Sequence, residues 1–206
     1  MENKILDSVN DYYTQKIKEH GVTPRGVDWN SIESQELRFR ELCSVIEAND
    51  GFSVLDFGCG YGAMLDYLAE LKKDFHYTGL DISDEMIAQA VKKHAGNQNV
   101  SWKTRLNDDE LHDYTIASGI FSVRLNAGDD EWKKYITDTL DIINKHSKKG
   151  FAFNMLTIYS DKEFMRDYLY YADPAFFFDY CKRNFSKYVA LLHDYPLYEF
   201  TIIVKK

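Results

Sequence analysis

Three glycines at alternate positions, Gly58, Gly60 and Gly62, follow directly on the apolar run Ser53-Val-Leu-Asp-Phe57. Glycine there lets the chain turn tightly and lets a ligand come closer than any Cβ would allow. The stretch from Tyr61 reads as a helix, whose first N–H groups are available to a carboxylate or phosphate. The chemistry indicated is the binding of a nucleotide-like cofactor. Gly58-Cys-Gly-Tyr-Gly-Ala63 also fits the GxGxxA dinucleotide fingerprint, with Asp81 about twenty residues on as the acid for a ribose hydroxyl. Asp56 opposes that reading. An anion two residues before the first glycine would repel a pyrophosphate and suits a cationic ligand. Cys59, inside the turn, contributes small size rather than reactivity.

The elements that must position these residues alternate between helix and strand, which points to a layered α/β fold. Residues 2–19 repeat apolar side chains at Ile5, Val9, Tyr13 and Ile17 and read as one amphipathic helix ended by His20-Gly21. Ser31 caps a second helix to about Ala48. Strands are expected at Ser53–Phe57, His76–Ile82, Val100–Thr104, Thr115–Ser122 and Gly150–Leu156, separated by helices. Those helices are Tyr61–Lys72, a stretch capped by Ser83, and Asp130–His146. Ser160 and Glu163 form a capping box opening a further helical stretch, and Pro174 reopens helix through Phe185. Lys187–Leu192 and Leu197–Val204 close the chain as strands. The Asp194-Tyr195-Pro196 link between them is too short for a parallel crossover, so the last strand is antiparallel. That hairpin, Asp56 and the lack of a second nucleotide-binding half disfavour an NAD(P)-dependent oxidoreductase.

The run Val54-Leu-Asp-Phe-Gly-Cys-Gly-Tyr-Gly62 resembles motif I of the class I S-adenosylmethionine-dependent methyltransferases. Leu80-Asp81-Ile82-Ser83, Thr115-Ile-Ala-Ser-Gly119 and the final hairpin resemble later elements of that fold, so the likeness covers about residues 50–206. The resemblance implies an α/β fold with a seven-stranded, mostly parallel, doubly wound sheet and an antiparallel last strand. It divides the chain into an N-terminal helical lid, residues 1–49, and a cofactor-binding core, residues 50–206.

The resemblance also implies roles. Gly58, Gly60 and Gly62 would lie under the methionine and ribose portions of S-adenosylmethionine, Asp56 would attract its ammonium end, and Asp81 would accept from the ribose hydroxyls. Ile82 would press on the adenine, and Asn107 or Asp108 would accept from the adenine amino group. Gly119 and Ile120 would run past the methionine, with Trp29 and Arg38 as candidates from the lid. Bland readings stand beside these: a helix-initiating Asp81 next to the Ser83 cap, a solvated acidic loop at Asn107 and Asp108.

Methyl transfer from a sulfonium needs alignment more than a nucleophile. His193, after the sixth strand, is the foremost general-base candidate and His20 the second. Each has a plain alternative, a turn histidine and a helix-ending one. No metal-binding set is evident. The segment after strand four, Ala117-Ser-Gly-Ile-Phe121, lacks the Asn/Asp-Pro-Pro-Tyr/Phe pattern that similar enzymes use on adenine or glutamine. A small metabolite or sugar-like acceptor is therefore expected. A non-catalytic S-adenosylmethionine-binding module is the alternative.

Composition narrows the partners. With 25 Lys+Arg against 33 Asp+Glu, the net charge of −8 argues against nucleic acid. Apolar runs reach about half the length of a membrane span, and the first residues do not read as a secretory signal. Cys43, Cys59 and Cys181, odd in number and far apart, fit a reducing cytoplasm. A monomer or homodimer is expected. Fifteen Tyr and 13 Phe are the compositional surplus; Tyr168, Tyr170, Tyr171 and Phe176–Phe178 could wall a pocket but more commonly such clusters fill core.

Overall fold

The computed structural model describes residues 2–27, 31–71 and 74–206, with side chains from Ile5 onward. Its helices are α1 (Glu2–His20), α2 (Ile32–Cys43), α3 (Ala63–Glu70), α4 (Asp84–Lys93), α5 (Asp129–His146) and α6 (Pro174–Asn184). Its strands are β1 (Phe52–Phe57), β2 (Phe75–Leu80), β3 (Val100–Lys103), β4 (His112–Ala117), β5 (Ser147–Leu156), β6 (Tyr188–Leu192) and β7 (Glu199–Lys205). They form one sheet in the order β3-β2-β1-β4-β5-β7-β6. Only β7 is antiparallel to its neighbours. Because β7 alone reverses, β6 runs with β5 and its carboxyl end joins the common edge. The order reverses between β1 and β4, where ligands of open α/β sheets bind.

Period-two alternation of the strands builds two cores. On one face Phe151 and Phe153 of β5 and Phe200 and Ile202 of β7 pack with Phe177 of α6 and with α5. Trp132, Ile136, Leu140 and Ile143 recur along α5 at helical spacing and are fully buried. Each contributes about 1.5–3 kcal/mol by leaving water, and the Trp132 indole N–H donates to Phe121 O at 2.9 Å. The alternate residues Val54, Tyr114, Ile116 and Ile203 face the other layer, where Phe39 and Leu42 of α2 meet Met64 and Leu68 of α3.

Four local expectations are corrected. Helix α2 stops at Cys43, where the next N–H groups make tighter bonds (Ser44 N to Glu41 O, Val45 N to Leu42 O). Strand β4 ends at Ala117, because Gly119 takes φ +75 and turns the chain out of the sheet. No helix separates β3 from β4: residues 104–111 are a polar loop tied back by Lys103 Nζ to Glu110 at 2.7 Å. The Ser160/Glu163 capping box does not form; Ser160 Oγ donates instead to Thr157 O at 2.7 Å, and only a short 3-10 turn follows at Lys162–Phe164.

Candidate active site

Strand β1 carries Asp56 and Phe57 to the carboxyl edge, where the Gly58 and Cys59 N–H groups donate to Leu80 O at 2.7 and 2.9 Å. This pair of bonds ties the turn to β2 and swings the chain off the sheet. Gly58 has φ +84, and a Cβ there would lie 2.2 Å from Ile120 Cγ2. Gly62 has φ +82, and a Cβ there would meet Trp102 Cη2 at 2.4 Å. Both positions therefore require glycine, for conformation and for space.

Two carboxylates meet this turn. Asp81, just past β2, accepts from Gly60 N–H at 2.8 Å through one oxygen and from Ser83 N–H at 2.9 Å through the other. Burial pushes its carboxyl above the ordinary aspartate range, against those two N–H bonds. Asp56 is buried more completely and accepts from the Tyr77 hydroxyl at 2.5 Å. Burial raises its pKa to about 7; the Tyr77 bond opposes the rise and the nearby Asp81 charge adds to it. The Cys59 thiol, also buried beside both acids, is pushed well above its usual range and is no nucleophile.

A cavity of about 520 Å³ opens at this point, within the range usual for small-molecule sites. The turn and the two carboxylates form one side, and Ser118–Ile120 another. Gln35 and Phe39 of α2 wall it, and Leu6, Val9 and Tyr13 of α1 cover it. Thr14 Oγ1 and Ser83 Oγ, 3.0 Å apart, pin α1 to the start of α4. Leu106, Ile142 and His146 also line it, Leu106 from the loop that stands where a β3–β4 crossover helix would be.

Residues 55–150 match the model of a methyltransferase domain. The Mycobacterium tuberculosis protein named "Putative methyltransferase Rv1506c" is 52% identical over 162 residues, which cover 79% of this chain and 98% of that protein. The chain belongs to the class I S-adenosylmethionine-dependent methyltransferases. Two solved structures share the fold. The DhpI-SAM-HEP complex superposes with a TM-score of 0.67 at 16% identity, covering 98% of each chain. Magnesium protoporphyrin IX methyltransferase from Synechocystis PCC 6803, with bound SAH, gives 0.66 at 15% identity over 100% of each chain.

S-adenosylmethionine is thus the cofactor, and the residues of this methyltransferase fit it. A glycine cradle that a Cβ would fill, and two acids beside it, match a ligand that combines a cationic sulfonium and ammonium with ribose hydroxyls. Asp56, Gly58, Cys59, Gly60, Asp81, Ile82, Asp108, Gly119 and Ile120 all line the cavity, whereas Gly62 stands behind it as the cap of α3. The dinucleotide alternative falls with the family assignment.

Other expected site residues lie elsewhere. Arg38 is buried against Glu199 and does not line the cavity. Asn107 is also outside it; its N–H points at Glu110 Oε2, 3.5 Å away. His193 is exposed, its ring 5.9 Å from that of Tyr159 and 6.2 Å from that of Phe200. His20 ends α1 beside Glu19 at 3.9 Å, also away from the cavity. Trp29 lies outside the described residues. The Tyr168–Tyr171 and Phe176–Phe178 clusters do not line the cavity either: Phe177 is core, and Tyr168 leans on Tyr12 of α1 at 6.4 Å.

Sequence reasoning missed Tyr77, Gln35, Phe39 and Tyr13. Tyr77 stands two positions before Gly79 on the same face of β2, and Gly79 pairs with Asp56. Gln35 and Phe39 are one turn apart on α2, a spacing that marks one helix face. Tyr13 belonged to the apolar stripe of α1, and nothing in that stripe distinguishes a cavity cover from a core face.

Proposed function

We propose that this methyltransferase acts on a small-molecule acceptor held in the α1-covered cavity by in-line methyl transfer. The observation that carries the reading is the cavity itself: Leu6, Val9 and Tyr13 of α1 add an apolar wall to the site of the glycine turn, and its volume of about 520 Å³ suits a small molecule. The net charge of −8 points the same way. A cytoplasmic location goes with this reading.

Bound S-adenosylmethionine supplies an electrophilic methyl group on a sulfonium. In this reading Gly58 and Gly60 let the backbone approach the methionine and ribose portions. Asp56 holds the ammonium end, Asp81 accepts from the ribose hydroxyls, and Ile82 and Asp108 face the adenine. Ile120 and Phe39 confine the acceptor, and α1 excludes water. Alignment of acceptor and donor supplies up to about 7–11 kcal/mol of the barrier reduction, so no dedicated base is required. The residues expected as bases, His193 and His20, lie outside the cavity.

A methyl-transfer assay with isotopically labelled cofactor tests this against a metabolite library, bulk tRNA and a protein extract. Label in one or a few small molecules is expected. Label only in tRNA or protein would overturn the reading.

A further inference from the structure

Behind the cavity wall runs a buried chain of donors and acceptors that methyl transfer itself does not use. Arg38 Nε lies 2.9 and 2.8 Å from the two carboxylate oxygens of Glu199, the first residue of β7. Its Nη2 donates to Oε1 at 2.5 Å and its Nη1 to Ser34 O at 2.8 Å. Glu199 Oε2 also accepts from Asn154 Nδ2 of β5 at 2.6 Å, and Asn154 Oδ1 accepts the Gly119 N–H at 2.8 Å. Arg38, Asn154 and Glu199 are 7%, 1% and 2% exposed, so water cannot stand in for a lost partner. None of the three lines the cavity, but Gly119 does, and its neighbour Ile120 rests on Gly58.

Polarity runs one way along this chain. A guanidinium only donates and a carboxylate only accepts. Facing the carboxylate, the Asn154 amide must present its NH₂, which leaves its oxygen for the Gly119 N–H. A flipped amide would set donor against donor at Gly119 and oxygen against oxygen at Glu199. We propose that Arg38, Glu199 and Asn154 are positioning residues: the ion pair sets the orientation of the Asn154 amide, which fixes the Gly119–Ile120 loop against the glycine turn for cofactor binding. A buried ion pair is weak evidence for stability alone, and this directional role accounts for its connection to the loop.

The inference rests on the cofactor reading of the cavity, which binding of S-adenosylhomocysteine to the parent protein tests separately. Calorimetric titration of that ligand into variants, with melting temperature recorded, then tests the relay. Asn154→Leu removes the acceptor for Gly119 and weakens binding by about tenfold or more, the fold-change of one buried hydrogen bond. In Glu199→Gln the side-chain oxygen goes to Arg38 and the NH₂ turns to Asn154, flipping it, and affinity falls similarly. Adding Arg38→Met frees that oxygen for Asn154 Nδ2 and restores affinity to within about twofold of the parent. A packing role predicts the reverse, a double variant no better than Glu199→Gln. Parental affinity in folded Asn154→Leu or Glu199→Gln, or no recovery in the double variant, overturns the proposal. Where Glu199→Gln does not fold, Asn154→Leu, which leaves the ion pair intact, decides in the same way.

Discussion

The Tyr77 hydroxyl donates to Asp56 across 2.5 Å, with both side chains buried next to the glycine turn. That bond favours the ionised carboxylate, yet burial outweighs it and Asp56 keeps its proton up to about pH 7. Between the ordinary aspartate value of 3.8 and about 7 the unfolded chain is ionised at this position while the folded chain holds a proton. Stability therefore falls as pH rises through that window, by roughly 4 kcal/mol from this group. Asp56→Asn keeps an acceptor for Tyr77 and removes this slope. Urea unfolding of the cofactor-free protein at pH 5 and 7.5 is expected to show the variant gaining on the parent at the higher pH. Glu110 and Asp113 act oppositely: against burial, Lys103 holds the first low and the Ser53 N–H the second. Comparing variant with parent cancels them.

The same proton affects binding. A cationic ammonium end favours ionised Asp56, so cofactor affinity should rise with pH through about 7, with proton release. Titrations in buffers of different ionisation enthalpy measure that release. In Asp56→Asn the affinity should be lower and the pH dependence flatter.

Asp81 organises the turn as well as facing the cavity, since its two oxygens accept from Gly60 and Ser83 N–H. Asp81→Ala should weaken S-adenosylhomocysteine by about tenfold or more, or 1.4 kcal/mol and above. Unchanged affinity by calorimetry would mean that the ribose anchor lies elsewhere.

At Gly58 both conformation and space exclude a side chain, since φ is +84 and a Cβ would stand 2.2 Å from Ile120 Cγ2. Gly58→Ala should lower stability by about 1–3 kcal/mol and abolish measurable cofactor binding. Adding Ile120→Ala relieves the clash but not the backbone angle, so recovery should be partial in both melting temperature and affinity.

His193→Ala should leave methyl transfer at the parental rate, because the ring sits on the surface against Tyr159 rather than in the cavity. A fall beyond about tenfold, well above the usual effect of a surface substitution, would place the acceptor at that face instead. The labelled-cofactor assay reads this directly.

Much of the cofactor side was legible because its signals are local. Glycines at 58, 60 and 62 with Asp56 and Asp81 at strand ends constrain backbone geometry within a few residues, and the structure brings Asp56, Gly58, Gly60 and Asp81 to one cavity. The reversal of the last strand was legible for a similar reason: the expected three-residue link, which the structure lengthens to residues 193–198, is far too short for a parallel crossover. The β3–β4 loop was not, since residues 104–111 carry no apolar pattern and the expectation of a helix came from alternation alone.

By itself the sequence determined the turn, the two acids and the antiparallel end of the sheet, since each depends on sterics or charge between near neighbours. The tertiary structure alone decided where long polar side chains go. Arg38 and Glu199 are separated by 161 positions, and their pairing depends on α2 packing against the sheet at the start of β7. A buried guanidinium takes whichever anion the packing brings within reach, and that was Glu199 rather than the cofactor. Likewise His193 is a titratable group near the functional edge in sequence order, but the side of the edge it faces is set by strand pairing and not by its neighbours in the chain.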